Sequence, residues 1–64
     1  MSVVSVSRDE LYDRAGLTEK QRRAVELYDA GRGYLAIARL LGVSKATVRA
    51  HLDAAEAKIA RVRR

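Results

Sequence analysis

The sequence predicts an all-α protein, a small bundle of three to four helices with a long helix at its C-terminus. Three observations favour this fold class. Apolar residues recur at helical spacing along most of the chain, no Pro interrupts a segment, and single Gly residues separate the segments. Only residues 2–7 lack this pattern. We expect residues 1–7 to form a flexible N-terminal arm, with a strand paired across a dimer axis as the alternative, and residues 8–64 to form one domain.

The first two helices are each predicted to begin at a capping box, in which a hydroxyl residue is followed three positions later by Glu or Gln. The pairs are Ser7 with Glu10, and Thr18 with Gln21. The first helix should cover about residues 8–15 and stop at Gly16, and the second should stop near residue 30, before Gly31.

The last two helices are predicted on either side of Gly42. The residues Tyr34, Ile37, Ala38 and Leu41 follow helical spacing and predict a helix of about two turns. Ser44 is a suitable N-cap for the last helix, which should extend from Lys45 to about Arg63, or roughly 28 Å. This length exceeds what a three-helix core needs, so we expect the C-terminal half to contact something else.

The length and composition of the chain exclude several classes of protein. A chain of 64 residues makes one small domain that buries only about 60% of its unfolded surface. It has no Cys and one His, which leaves no disulfide and no Cys/His zinc site. We therefore expect no enzyme, no metal, no cofactor and no small-molecule ligand. Stability must come from tight helix packing or from a partner subunit.

Charge is unevenly distributed along the chain. Residues 1–31 contain five basic and six acidic side chains, whereas residues 32–64 contain eight basic and two acidic ones. This asymmetry favours a polyanionic partner, with a solvated basic surface as the alternative. The apolar run over residues 34–38 is far shorter than the ~20 residues that span a bilayer. We expect a soluble, cytoplasmic, nucleoid-associated protein with no membrane contact.

The last two predicted helices follow the plan of a helix-turn-helix, because a glycine turn joins them and the second is capped and basic at its start. Ala38 is small where the helices pass closely, and Val43 can fill the corner after Gly42. The motifs are Leu17-Thr18-Glu19-Lys20-Gln21-Arg22, Gly31, Ile37-Ala38-Arg39-Leu40-Leu41-Gly42-Val43-Ser44 and Thr47-Val48-Arg49-Ala50-His51-Leu52. Over about residues 17–60 the chain resembles the fourth region of bacterial sigma factors, the LuxR-like DNA-binding domains and the archaeal Tfx-type regulators.

The resemblance implies that residues 45–53 form the recognition helix and enter the major groove of DNA. It places the first two exposed turns of that helix at bases or nearby phosphates. The DNA-binding residues that we predict are Lys45, Ala46, Thr47, Arg49, Ala50, Asp53, Arg39, Arg32 and Ser44. Specific contacts to bases usually need Arg, Lys, Asn or Gln. Because the chain has no Asn and its one Gln lies elsewhere, only Lys45 and Arg49 are strong base contacts, which predicts modest sequence specificity.

A partner surface is predicted from residues that a single small core does not need. Leu35 lies about 160° from Ile37 around the third helix and should point outward, as a partner contact or an ordinary exposed leucine. The predicted dimer or partner interface consists of Leu35, Leu52, Ala55, Ile59 and Val62. We expect a homodimer that binds double-stranded DNA as a transcription regulator or a DNA-coating architectural protein. The rival function is a protein-interaction module that docks on RNA polymerase or another regulator.

Overall fold

The structure, a computed structural model, describes residues 8–63 and consists there of four helices. They are α1 (Arg8–Ala15), α2 (Glu19–Asp29), α3 (Tyr34–Leu41) and α4 (Lys45–Arg63). No residue in this range forms a strand, which confirms the predicted all-α fold and its long last helix. The predicted arm, its alternative as a strand and the Ser7 cap lie outside the described residues. None of the four helices is long and apolar enough to cross a membrane.

The capping box predicted for α2 is present. The Gln21 backbone N–H donates to Thr18 Oγ1 at 3.2 Å, and the Thr18 N–H donates to Gln21 Oε1 at 3.1 Å. Each bond satisfies a backbone donor that lacks a partner at a helix start. Residues 16–18 therefore form a short turn between α1 and α2, with the entry of α2 held by local bonds.

The main core lies where α2, α3 and α4 meet. Ala24 of α2, Ile37 of α3 and Val48 of α4 are each 0% exposed, and Ala38 is also buried. Partly buried side chains surround them, namely Leu27, Tyr34, Leu41, Val43 and Leu52. Small residues in α2 and α3 let the three helices approach closely. This packing fixes the rotation of α4 about its own axis.

The C-terminal half of α4 contacts the chain's own first helix. Helix α1 packs against α4, and Lys58 of α4 donates to Gln21 Oε1 at 2.9 Å and to the Gly16 carbonyl at 3.4 Å. Ala55 is 0% exposed. The prediction that Ala55 belongs to a dimer or partner interface is therefore wrong, because this side chain is enclosed within its own chain. The half-buried Leu52, Ile59 and Val62 remain partly accessible.

Polar contacts link α1 to α2. Arg22 donates to one carboxylate oxygen each of Asp9 and Asp13 at 2.8 Å, and its Nε lies 3.4 Å from Glu26. The Arg22 guanidinium also lies 5.9 Å from the ring centroid of Tyr12. Hydrogen bonds to these carboxylates, the one to Asp9 foremost, raise the pKa of Arg22 above its usual value. These exposed ion pairs add to the attachment that α1 gains by packing against α4 through the buried Tyr12.

Candidate nucleic-acid interface

The turn between α3 and α4 has the geometry predicted for a helix-turn-helix. Gly42 adopts the left-handed conformation, with φ 70° and ψ 36°, which residues with a Cβ adopt at a cost. The N–H groups of Gly42 and Val43 both donate to the Ala38 carbonyl, the latter at 3.0 Å. Val43 is half-buried and packs against the core. The turn therefore sets the angle at which α4 leaves α3.

The start of α4 is capped and favours an anion. The Thr47 N–H donates to Ser44 Oγ at 3.1 Å, and the two hydroxyl oxygens lie 2.9 Å apart. The first turn of α4 contains no acidic residue. A helix N-terminus carries a partial positive charge and unpaired N–H groups, so a phosphate is stabilised there. The Ser44 side chain forms the cap, and Thr47 is half-buried beside it.

Two exposed rows follow along α4. Lys45 and Arg49 form one row, and Ala46 and Ala50 form the other, each pair four residues apart. All four side chains are exposed. Val48, on the opposite face of the helix, is 0% exposed and packs in the core, so the two rows face away from the core. The structure thus brings four of the predicted DNA-binding residues onto one accessible surface. One row is cationic, and the other consists of small apolar side chains.

Asp53 is the one acidic member of the predicted set. Its Oδ2 lies 3.8 Å from Arg49 Nε, one turn earlier on α4, and both side chains are exposed. A carboxylate repels phosphates, so direct contact of Asp53 with the DNA backbone is unfavourable. With Arg49 it forms an exposed ion pair that is too long for a hydrogen bond and is therefore weak.

The two remaining cations lie outside the α4 rows. Arg32 is exposed in the turn before α3, where its N–H donates to the Leu27 carbonyl at 3.1 Å. Arg39 is exposed on the face of α3 opposite Ile37, between Leu35 and the next exposed leucine. Contact of either side chain with DNA stays a prediction.

Two exposed apolar side chains were missed by the interpretation of the sequence. Leu40 is 56% exposed and Tyr28 is 51% exposed, alongside the predicted Leu35 at 50%. Every residue of α3 except Arg39 is apolar or aromatic, so periodicity could not separate its inner and outer faces. That all-round apolar composition was itself the signal, because such a helix is normally covered on more than one side.

An open groove of about 710 Å³ lies between the four helices, beside the second half of α4. Apolar and aromatic side chains line most of it: Leu11, Tyr12, Val25, Tyr28, Tyr34, Leu52, Ile59 and Ala60. Charged side chains at its edges are Arg8, Asp29, Asp53, Glu56 and Arg63. Because all four helices contribute, no single motif of the sequence could predict this groove.

Comparison with known proteins identifies a family. The family model described as sigma-70, region 4, matches residues 15–59. No curated protein and no solved structure matches the chain. The matched residues contain α2, α3, the Gly42 turn and most of α4, and they exclude nearly all of α1. Every predicted DNA-binding residue falls within them.

Proposed function

The chain belongs to the sigma-70 region 4 family and is a helix-turn-helix DNA-binding domain, and we propose that it places the first half of α4 in the major groove of double-stranded DNA. The observation that carries this proposal is the exposed surface of Lys45, Ala46, Arg49 and Ala50 on a helix anchored by Val48. An α-helix fits the width of the major groove, and its exposed N-terminal residues then reach the base edges.

The same surface supports modest sequence specificity. Lys45 and Arg49 can donate to guanine, while Ala46 and Ala50 can contact only a thymine methyl group. Asp53 forms only a weak, exposed ion pair with Arg49 at 3.8 Å, so the Arg49 guanidinium can leave this pair to reach a base. Few discriminating contacts per chain mean that much of the affinity comes from phosphates, which the formal net charge of +5 favours.

Phosphate contacts are proposed for the start of α4 and the turn before α3. The capped N-terminus presents backbone N–H groups and the Ser44–Thr47 hydroxyl pair to a phosphate. Arg32, which is exposed in the turn before α3, is a second proposed phosphate contact. The proposed cellular place is the nucleoid, and the role is that of a transcription regulator or a DNA-coating protein. Two copies that bind adjacent half-sites would recover the selectivity that one copy lacks.

Fluorescence anisotropy with a labelled duplex at several salt concentrations tests this function. The wild type should bind, and its affinity should fall steeply as salt rises. Arg49→Ala should weaken binding to a selected site roughly 5- to 150-fold, which corresponds to about 1–3 kcal/mol for a bidentate base contact. The matched control is Arg14→Ala on α1, which removes the same charge from an exposed side chain distant in sequence. Equal weakening by both variants would contradict a specific role for Arg49.

A second candidate function is docking on RNA polymerase or another regulator. The groove beside α4 favours it, because half-buried apolar side chains such as Leu52 and Ile59 remain accessible there. Lys45→Ala/Arg49→Ala should abolish DNA binding and leave such docking intact. Ile59→Asp should have the opposite effect. Pull-down with purified polymerase core separates the two functions, and absence of any DNA binding at low salt would favour docking.

A further inference from the structure

Two apolar surfaces in the described part of the chain have no partner within it. The first is the outer face of α3, formed by Leu35, Ala36, Arg39 and Leu40, where the two leucines are 50% and 56% exposed. The second is the groove beside α4. Neither leucine lines that groove, so the two surfaces are separate. Paired exposed leucines and an open apolar groove are typical of contact sites rather than of bare surface.

The aromatic side of the groove consists of side chains that contact one another or are hydrogen-bonded. The rings of Tyr28 and Tyr34 pack against each other with centroids 6.0 Å apart and a 55° tilt. Tyr12, also in the lining, is held by its hydrogen bond to Asp29 at 2.8 Å. Aromatic side chains fixed in this way provide apolar contact area without a further loss of rotamer freedom on binding. The groove therefore offers apolar and aromatic contact area to leucine side chains.

The charges of the two surfaces are complementary. Helix α3 carries no carboxylate, and Arg39 projects between its exposed leucines. The α4 side of the groove carries Asp53 and Glu56, and Arg63 lies at its C-terminal end, two turns beyond Glu56. Glu56 is exposed and forms no ion pair within residues 8–63, whereas Asp53 is shared with Arg49. A basic apolar helix face therefore matches an apolar groove with an available carboxylate at its edge.

The dimensions also agree. Helix α3 has eight residues and is about 12 Å long, and Leu52 and Arg63 mark about 16 Å of groove wall along α4. We propose that the outer face of α3 of one copy docks in the groove of a second copy, with Leu35 and Leu40 in the groove and Arg39 facing Glu56. This assigns Arg39 to the contact between copies, in place of the phosphate contact that the sequence predicts.

A contact of this size is weak in solution and effective on DNA. One short helix face buries less area than the ~1,200–2,000 Å² of a stable interface, so a dissociation constant of about 0.1–1 mM is expected. Copies bound side by side on a duplex experience a high effective concentration, which converts weak contacts into cooperative binding. Cooperativity on DNA rests on the proposed DNA-binding function, whereas association of the free protein does not.

Sedimentation equilibrium of the DNA-free protein tests the contact, at concentrations up to about 1 mM. The average mass of the wild type should rise above 7.1 kDa with concentration. Arg39→Glu and Glu56→Arg should each weaken association about three- to tenfold, because each places like charges opposite one another. An equimolar mixture of the two variants should recover wild-type association, since opposite charges then face each other across one contact.

Controls separate this contact from net-charge effects and from unfolding. Lys20→Glu makes the same charge change as Arg39→Glu at an exposed α2 position and should leave association unchanged. Leu40→Gln should weaken association while circular dichroism reports an unchanged fold. Three results would each overturn the proposal: a wild type that stays monomeric throughout, a mixture that does not recover association, or equal weakening by Lys20→Glu.

The rival occupant of the groove is RNA polymerase. If the protein is monomeric and Ile59→Asp abolishes its binding to polymerase, the groove is the polymerase site. DNA binding measured on the same samples shows separately whether the proposed function holds.

Discussion

Tyr12 is the aromatic residue that joins α1 to the rest of the molecule. It is 4% exposed, and its hydroxyl donates to Asp29 Oδ2 at 2.8 Å. Burial and this hydrogen bond to a carboxylate both favour the neutral phenol, and together they raise the pKa of Tyr12 from 10.0 to about 12. The attachment of α1 is therefore sensitive to alkaline pH.

Alkaline unfolding checks this consequence. Below pH 10 the phenol is protonated in both the folded and the unfolded chain, so its full contribution to stability is present. As the pH rises from 10 to about 12, the unfolded chain ionises first, and the free energy of unfolding should fall by roughly 2–3 kcal/mol. Urea denaturation at a series of pH values measures this loss. Tyr12→Phe should lose much less over the same range, and identical curves for the two proteins would contradict the assignment.

Two alanines on α4 allow a direct test of where its buried face lies. Ala55 is 0% exposed, and Ala57, two residues later, is exposed. Ala55→Leu should destabilise the protein by about 1–3 kcal/mol because three heavy atoms must enter a filled space. Ala57→Leu should change the free energy of unfolding by no more than about 0.5 kcal/mol. Similar midpoints in urea for both variants would show that Ala55 is not enclosed.

At the scale of the elements, local chemistry decides where helices begin and end. The capping box of Thr18 and Gln21 and the cap of Ser44 involve residues three positions apart. Gly42 ends α3 through its own backbone conformation. Such signals depend on neighbours in sequence, so they predicted the bounds of α2, α3 and α4 closely. Gly42, the C-cap of α3, also sets the direction in which α4 leaves the turn.

Gly42→Ala measures the contribution of that turn. A Cβ built at Gly42 meets no atom within 4 Å, so steric crowding by neighbouring side chains does not contribute. The left-handed backbone, with φ 70°, costs an L-residue roughly 1–2 kcal/mol, and the free energy of unfolding should fall by about that amount. Gly42→Ala should also weaken DNA binding where it changes the angle between α3 and α4.

Gly33 provides the matched control for Gly42. It is the N-cap of α3, has an extended backbone with φ −79° and ψ 169°, and also has open space around it. Gly33→Ser should add a side-chain cap and stabilise the protein by a few tenths of a kcal/mol. Equal destabilisation by Gly42→Ala and Gly33→Ser in thermal unfolding would contradict the role of the left-handed turn.

For the whole molecule, the main question is how α1 is held. It supplies Leu11 and Tyr12 to the groove, so the groove exists only while α1 is docked. Arg22 holds α1 through Asp9 and Asp13, and these pairs are exposed at their carboxylate ends. Exposed ion pairs are screened by salt. Docking of α1, and with it the groove, should therefore weaken as ionic strength rises.

Hydrogen exchange of Arg22→Gln tests this dependence. At low salt the variant should show faster exchange throughout α1 and a lower melting temperature than the wild type. At about 1 M salt, where charges are screened within roughly 3 Å, the difference should shrink. Arg14→Gln serves as the control, because its ion pair with Glu10 lies within α1 and does not reach α2. Equal effects of both variants would show that the link from Arg22 to α1 does not hold the helix.

Some surfaces could not be predicted because distant segments form them. Ala55 follows the heptad spacing of an interface residue, yet it is buried by helices from its own chain. Leu40 lies in a helix that is apolar on nearly all sides, so its spacing gave no indication of exposure. The groove needs side chains from all four helices. Each of these depends on packing between segments that are far apart in sequence.

The sequence by itself determined the helix bounds, the glycine turn, the capped start of α4 and the basic character of its exposed residues, because these depend on residues a few positions apart. The resemblance to sigma region 4 likewise rested on contiguous motifs, and the match over residues 15–59 confirmed it. Only the tertiary structure decided what covers the second half of α4, which leucines stay exposed and where the groove lies. These features depend on which helix faces pack together, and helical periodicity specifies the faces of one helix without specifying their partners.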